Sequence, residues 1–212
     1  FLLPLRNVYF YLLLAIIIIG LGLGLKVLNK NKTVVETSET LTTVKSYSTG
    51  TPEIGGEYIL INQDGDAVSN NTYRGKYTLI FFGYTFCPDV CPNTLSIFSS
   101  VLDLLGEDAA KVKPVFVTVD PVRDTPEKLR SYLIHFNKNF DGLTGSVEQI
   151  EQVKKIFRIY AVKSQQDEID FKDYLMDHST VSYLMGPDGK FITFFRYGAK
   201  PEVIVTKLKK FL

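Results

Sequence analysis

Both cysteines of this 212-residue chain lie in one short stretch, FFGYTFCPDVCPNTL, at positions 87 and 91. Two thiols at this separation can form a structural disulfide, act as a redox pair, or supply two ligands to a metal ion. The structural disulfide is the weakest interpretation, because closing so short a loop removes little entropy from the unfolded chain. A single pair also excludes the multi-bridge framework of small secreted domains. Cys87 and Cys91 therefore predict redox or metal chemistry.

The sequence around the cysteines places them where a strand gives way to a helix. The apolar run from Tyr77 to Phe82 is typical of a strand buried on both faces. Pro92 suits the first turn of a helix, and apolar residues recur at helical spacing after it. Cys91 is therefore expected at a helix N-terminus, where free backbone N–H groups and the helix dipole favour the thiolate.

A third candidate ligand, His178, lies 87 residues after Cys91. A thioredoxin-type redox site has two residues between its cysteines and a proline before a later core strand. This chain has three intervening residues, and His178 stands where that proline would be. If the two segments face each other, the site contains two thiolates and one imidazole. Such a donor set suits copper, as Cu(I) or Cu(II), and also accepts zinc.

Other side chains near this constellation have ordinary alternatives. His178 itself could be a plain surface or core histidine, which is the interpretation that we prefer for His135. Met176 is either a soft ligand or a core methionine, and the core role is favoured. Asp177 either orients His178 or caps a loop.

The order of the predicted elements indicates the fold class. GEYILINQDGDAVSNN (56–71) is typical of a β-hairpin, and KVKPVFVTVD (111–120) of a second buried strand. Two amphipathic helices, two strands around a Gly-Pro-Asp-Gly turn and a closing helix follow. The order hairpin, β, α, β, α, α, β, β, α predicts an α/β domain of thioredoxin-like fold over residues 54–212, with a central mixed sheet and flanking helices.

Residues 1–28 predict a membrane anchor. VYFYLLLAIIIIGLGLGL (8–25) contains no charge and is long enough to span a bilayer core. No small-residue cleavage site follows it. Residues 29–53, rich in Thr, Ser and Lys, have neither helical nor strand periodicity and are expected to form a flexible linker.

Charge and composition argue against nucleic acid as a partner. Residues 54–212 carry 19 Lys and Arg against 20 Asp and Glu, a net charge of −1, with no block of basic residues. Hydrophobic residues make up 45% of the chain, which is enough for a packed core and excludes the disordered class.

Three motifs resemble the Sco/SenC family: FFGYTFCPDVCPNTL (81–95), VTVDPVRDTPEKLRSY (117–132) and DHSTVSYLMGPDGKF (177–191). The family comprises membrane-anchored, thioredoxin-like copper proteins that help to assemble the CuA centre of cytochrome c oxidase. The resemblance implies that Cys87, Cys91 and His178 are copper ligands. It also implies the CuA-bearing oxidase subunit as a partner, with another copper chaperone as a candidate donor.

The resemblance further implies a location. The protein would be a single-pass protein of an inner membrane, with its domain in the periplasm or the mitochondrial intermembrane space. The charges flanking the apolar segment point the other way, since Lys26, Lys30 and Lys32 follow it and only Arg6 precedes it. We expect the resemblance to outweigh this weak charge signal.

The sequence leaves three roles open: a metallochaperone, a thiol–disulfide oxidoreductase and a copper-responsive signalling module. As a metallochaperone, the domain would hold copper on Cys87, Cys91 and His178 and pass it on by ligand exchange. As a thiol–disulfide oxidoreductase, it would use Cys87 and Cys91 to reduce the cysteines of its partner. A peroxiredoxin-like peroxidase is excluded, because neither cysteine has the required Pro and Thr before it.

The segment DPVRDTP (120–126) carries a further expectation. Arg123 is predicted to pair with Asp120 or Asp124 and so order the loop beside the site. The alternative is that these residues only prepare the entry into the following helix.

Overall fold

The structure is a computed structural model that describes residues 53–164 and 174–212. The predicted anchor in residues 1–28 and nearly all of the predicted linker lie outside the described residues. No helix within the described ranges has the length and apolar character needed to cross a membrane.

The described residues form nine strands and four α-helices. The strands are β1 (Ile59–Asn62), β2 (Ala67–Ser69), β3 (Tyr77–Gly83), β4 (Val112–Thr118), β5 (Asp141–Thr144), β6 (Ala161–Lys163), β7 (Met176–His178), β8 (Ser182–Met185) and β9 (Phe191–Phe195). The helices are α1 (Val90–Leu105), α2 (Pro126–Leu133), α3 (Val147–Ile156) and α4 (Pro201–Leu208). Two short 3₁₀ segments, Asn70–Tyr73 and Gly106–Lys111, precede β3 and β4.

Seven strands form one mixed sheet in the order β2-β1-β5-β4-β3-β8-β9. The three central strands β3, β4 and β5 run parallel, while the hairpin β1–β2 and the pair β8–β9 add antiparallel strands on the two sides. This arrangement confirms the predicted mixed sheet with an N-terminal hairpin and flanking helices.

The core follows from two sequence patterns that the structure confirms. Every residue of β3 from Thr78 to Gly83 is buried, as expected for a central strand. The predicted helical stripe of α1 is also buried, and it consists of Leu95, Phe98, Val101, Leu102 and Leu105. Burying this stripe against the sheet fixes the N-terminal end of α1, and with it Cys91.

Helix ends follow local chemistry. At α2, the Thr125 hydroxyl accepts a hydrogen bond from the Lys128 N–H, and Pro126 is the first helical residue. At α1, the helix begins at Val90 rather than Pro92, so Cys91 is its second residue. The predicted position of Cys91 at a helix N-terminus is therefore confirmed, with the boundary two residues earlier.

Three strands were not predicted. β5 lies between β1 and β4 in the large sheet, and β6 pairs with β7 in a separate two-stranded sheet. The second of the two predicted amphipathic helices, α3, ends at Ile156, and Arg158 then takes a left-handed conformation with φ 53° before the chain enters β6. The small sheet matters for the site, because its register places His178 opposite Ala161.

Candidate metal centre

Cys87, Cys91 and His178 converge at the carboxyl end of β3. Their candidate ligand atoms all lie within 4.8 Å of one another, and they are the one group of three or more His, Cys, Asp or Glu residues of metal-binding geometry in the described ranges. Cys87 lies on the loop after β3, Cys91 in the first turn of α1, and His178 at the end of β7. The structure thus brings together the three residues that the sequence predicted.

Cys91 is fully buried because β3 allows an unusually close approach. A Cβ atom added to Gly83 would lie 2.5 Å from the Cys91 Sγ and 2.8 Å from a ring carbon of Phe116. Only glycine leaves room at this position for the sulfur. Gly83 is therefore a structural requirement of the site that the ligand spacing alone did not reveal.

The orientation of His178 is fixed by its own surroundings. Its Nδ1 lies 2.9 Å from the backbone oxygen of Ser179, and since a carbonyl only accepts, Nδ1 carries the proton. In the neutral ring Nε2 is then the nitrogen with the lone pair, and it lies 3.6 Å from the Cys91 Sγ. The ring contacts Tyr84 edge-on, at 5.7 Å between centroids and 88° between planes. Tyr84 also accepts a hydrogen bond from the Met176 N–H, which ties it to β7.

The structure also shows the surroundings of Asp177, Met176 and His135. Asp177 is exposed, and the Nδ1 partner of His178 is the Ser179 carbonyl, so of the two roles left open for Asp177 the structure does not support the orienting one. Met176 is partly buried and packs against the hydrophobic core, in line with its favoured role. His135 is exposed just after α2, which agrees with the surface role expected for it.

The two thiols have opposite electrostatic environments. A hydrogen bond from the Cys91 thiol, with further ones from the backbone N–H groups of Asp89 and Cys91, lowers the pKa of Cys87 to about 4 against the opposing effect of burial. The Cys91 pKa is raised, because the thiol donates to Cys87 and is buried. The metal-free site therefore holds one thiolate, on the half-buried Cys87, and one thiol, on the buried Cys91. The expectation that the helix N-terminus favours the thiolate at Cys91 is wrong, because the neighbouring Cys87 thiolate and burial outweigh it.

This donor set fits a soft metal ion. Two sulfur atoms and an imidazole with a free Nε2 match the preferences of copper, and zinc would also accept them. Cys87 is half-buried, so the site is open on one side. An ion held here would be accessible to a ligand from another molecule.

Arg123 connects the cysteine loop to the segment that carries His178. Its guanidinium pairs with Asp120, one of the two predicted partners, and Nη1 donates to the Tyr174 carbonyl at 2.8 Å. The same group lies 3.6 Å from the centroid of the Tyr174 ring and 4.6 Å from that of Phe86, next to Cys87. The Tyr174 hydroxyl donates to Asp120 at 2.7 Å. Arg123 is thus the centre of a cluster that spans both sides of the site.

Asp124 has a separate role that the sequence did not indicate. This fully buried carboxylate accepts three hydrogen bonds: from the Thr85 N–H at 3.0 Å, the Thr85 hydroxyl at 2.6 Å and the Thr118 hydroxyl at 2.6 Å. Burial raises the pKa of Asp124, against the three donors. Because Thr85 is two residues before Cys87, Asp124 fixes the cysteine loop to the end of β4.

Comparison with known proteins places this site in a family. A sequence profile described as SCO1/SenC matches residues 46–212. A SCO2-like protein of Rickettsia felis is 36% identical over 157 residues, which cover 74% of this chain and 76% of that protein.

Solved structures agree in fold. The structure of Bradyrhizobium japonicum ScoI with copper bound is 44% identical, with a TM-score of 0.69, and the match covers 75% of this chain and 99% of that chain. A structure of BsSco, described as a Sco-family cytochrome c oxidase assembly protein with a disulfide switch, is 26% identical, with a TM-score of 0.57 and coverage of 73% and 90%.

The profile match, the identity to these relatives and the shared sheet-and-helix architecture agree with the motifs around Cys87, Arg123 and His178. The chain belongs to the SCO1/SenC family.

Proposed function

We propose that this protein is a copper carrier that binds one copper ion through Cys87, Cys91 and His178 and delivers it to the CuA-bearing subunit of cytochrome c oxidase. The observation that carries the proposal is the convergence of two sulfurs and one imidazole nitrogen within 4.8 Å. The copper-bound ScoI relative and the assembly role given for BsSco support it. Copper is here the cargo of the protein.

The protonation states suggest an order of binding. The Cys87 thiolate is ready to bind a cation, whereas Cys91 must lose its proton first. Binding of one copper ion therefore releases the Cys91 proton from the site. Release would begin as a thiolate of the partner replaces the accessible Cys87 sulfur, and Cys91 would regain its proton as it leaves the metal.

Asp124 and Arg123 affect copper binding by holding in place the segments that carry the ligands. Asp124 holds the loop that leads to Cys87, and Arg123 joins this loop to the chain before β7. Copper affinity depends on both ligand segments being held at once. Arg123 and Asp124 are therefore positioning residues in this proposal.

A second function, reduction of a partner disulfide, rests on the lowered pKa of Cys87 and the nearness of Cys91. The Cys87 thiolate would attack one sulfur of the partner disulfide and release the other as a thiol. Cys91, after losing its proton, would attack the Cys87 sulfur and release the second partner thiol. The partner gains two electrons, and a Cys87–Cys91 disulfide remains. The disulfide switch ascribed to BsSco supports this alternative.

The predicted anchor and location complete the proposal. A membrane anchor in residues 1–28 and a linker over 29–53 would hold the domain over the outer surface of an inner membrane, beside the oxidase. The support comes from the apolar run 8–25 and the family resemblance. Labelling an introduced surface cysteine with a membrane-impermeant reagent in intact cells or mitoplasts would test the orientation.

The two functions separate in one experiment on residues 50–212, which form a compact unit. The reduced, Cu(I)-loaded domain is mixed with the soluble CuA domain of the oxidase subunit, and copper in each protein is measured after separation. In parallel, the copper-free reduced domain is mixed with the CuA domain in its disulfide form, and partner thiols are counted by mass spectrometry. A carrier transfers copper, and His178→Ala abolishes that transfer. Absence of copper transfer together with thiol production that His178→Ala leaves intact would establish the reductase instead.

A further inference from the structure

Among the described residues, the large sheet ends in a strand that has no partner strand on its outer edge. β9 is the last strand of the large sheet, and within the described ranges no strand pairs with its outer side. Its sequence, FITFF, contains neither a charge nor a proline, two of the devices that protect an edge strand. Its pairing with β8 shifts by one residue at Ile192, and the residues from Thr193 to Phe195 pair in regular register. Half of its backbone N–H and C=O groups point away from β8, as in any edge strand. β9 can therefore accept another extended chain.

Two hollows flank this strand. The first, about 490 Å³, lies between β9 and α4, and we call it the α4 hollow. The second, about 440 Å³, contains Tyr183, Phe191 and Ile192, and we call it the Tyr183 hollow. The two share only Thr193 and Phe194, which belong to the edge strand itself.

The hollows lie on opposite faces of the sheet. Phe195 packs on the face that carries α1 and α4, beside Phe98 and Ile204. Tyr183, which pairs across the strands with Phe194, donates its hydroxyl to the Phe157 carbonyl just after α3. Because successive side chains of a strand alternate in direction, an added strand would place its side chains alternately in the two hollows.

The hollows differ in chemistry. The α4 hollow contains Lys207 and Lys210 against the single Glu202, and neither lysine forms an ion pair with a described residue. The Tyr183 hollow is mainly apolar, with Arg158 as its one charged residue. An added strand therefore fits this edge if its carboxylate side chains lie in the α4 hollow and its apolar side chains lie in the Tyr183 hollow.

The distribution of charge over the domain also favours an acidic partner at this edge. Residues 190–212 carry six Lys and Arg and one Glu, a net charge of +5, whereas residues 54–189 carry 13 against 19, a net charge of −6. The basic charge of the domain is thus concentrated at the β9–α4 edge. Such asymmetry attracts acidic partners to that edge and repels them from the rest of the surface.

We infer that the β9 edge is a docking site for an extended acidic segment of a partner protein, which adds a strand to the sheet with alternating acidic and apolar residues. An anionic membrane would bind the lysines. It would neither pair with the unpaired backbone groups of β9 nor fill hollows on both faces of the sheet. The site would also lie near the metal centre, because the Asn93 side chain, two residues after Cys91, donates to the Tyr197 hydroxyl at 3.3 Å, two residues after β9. A partner held there would have its own ligands close to Cys87.

The test uses residues 50–212 and two pools of fluorescein-labelled octapeptides. The acidic pool has Glu at alternate positions and mixed Val, Ile, Leu and Phe between them, and the basic pool has Lys in place of Glu. Fluorescence anisotropy should show binding of the acidic pool and none of the basic pool. Lys207→Glu with Lys210→Glu should weaken binding about tenfold, from two reversed surface charges. Lys200→Glu with Lys209→Glu has the same charge change outside both hollows, and it should alter binding by less than about twofold.

A second readout locates the bound peptide. Backbone amide signals of Phe191–Phe195 should shift in an NMR titration and become protected from hydrogen exchange. Four results would each overturn the inference. They are an equal loss of binding in both double variants, equal binding of the basic and acidic pools, no binding of the acidic pool, and NMR shifts confined to regions other than β9. Self-association of the domain through β9 that excludes the peptide, or binding of anionic vesicles in place of it, would also overturn the inference. None of these results depends on copper, so the outcome is independent of the proposed carrier function.

Discussion

The metal centre and the β9 edge differ in how completely their polar groups are paired. Around the metal centre, the buried carboxylates of Asp120 and Asp124 are bonded to several donors each, and the Arg123 guanidinium is held between two rings. At the β9 edge, strand pairing stops and lysines stand without carboxylate partners among the described residues. Metal binding requires ligand atoms that are held in position before the ion arrives, whereas docking requires backbone and charged groups that are not already paired.

This contrast predicts that substitutions at the metal centre have large effects and those at the edge small ones. The largest effect is expected for Cys91→Ser, which removes a buried sulfur ligand and should abolish tight copper binding. Thr94→Ser, in the next turn of α1, should bind copper normally. Both are measured by competition with a Cu(I) chelator. One tightly bound equivalent in Cys91→Ser would contradict the two-sulfur site.

Asp124→Ala should come next. It leaves the Thr85 N–H and the hydroxyls of Thr85 and Thr118 without their acceptor, which should lower the free energy of unfolding by about 3 kcal/mol. The exposed Asp103→Ala should change it by less than about 0.5 kcal/mol. Urea unfolding of the copper-free domain measures both. Equal stability of the two variants would show that Asp124 does not hold the loop.

Arg123→Lys should weaken copper binding about tenfold, since a lysine keeps the charge but cannot stack between two rings and donate to the Tyr174 carbonyl at once. Arg130→Lys, at an exposed ion pair with Asp64, is the matched control and should bind copper as the parent does. Unchanged affinity in Arg123→Lys, with the fold retained by circular dichroism, would remove Arg123 from the positioning of the site.

The smallest effect is expected at the edge. Phe194 is 49% exposed, so Phe194→Lys should cost less than about 1 kcal/mol of stability, the range of one cross-strand pair, and leave copper binding unchanged. Its neighbour Phe195 is buried, and Phe195→Ala should cost about 3 kcal/mol. Thermal and urea unfolding compare the two. Similar losses would mean that β9 is packed on both faces.

Sequence reasoning found the residues whose types are informative by themselves. Cys87, Cys91 and His178 have few ordinary roles, and their spacing within the predicted element order was enough to bring them together. The central strand β3 and the helix α1 carry strong apolar patterns over many residues, and both were predicted.

What the sequence did not reveal depends on tertiary contacts. β5 has four residues and contains Gly142, so its pattern is weak, and it is a strand because it lies between β1 and β4. The Nδ1 partner of His178 is a backbone carbonyl, which no side-chain pattern encodes. The role of Asp124 depends on two threonines, one in the loop after β3 and one at the end of β4, and only the fold brings them together.

The most direct test of the central claim is the copper content and affinity of the reduced domain, residues 50–212, beside its His178→Ala and His135→Ala variants. The proposed site predicts one tightly bound copper in the parent and in His135→Ala. It predicts binding weakened by at least about tenfold in His178→Ala, with the Cys87–Cys91 disulfide still able to form. Equal affinity in the parent and His178→Ala would contradict the account, because the imidazole would then take no part in holding the metal.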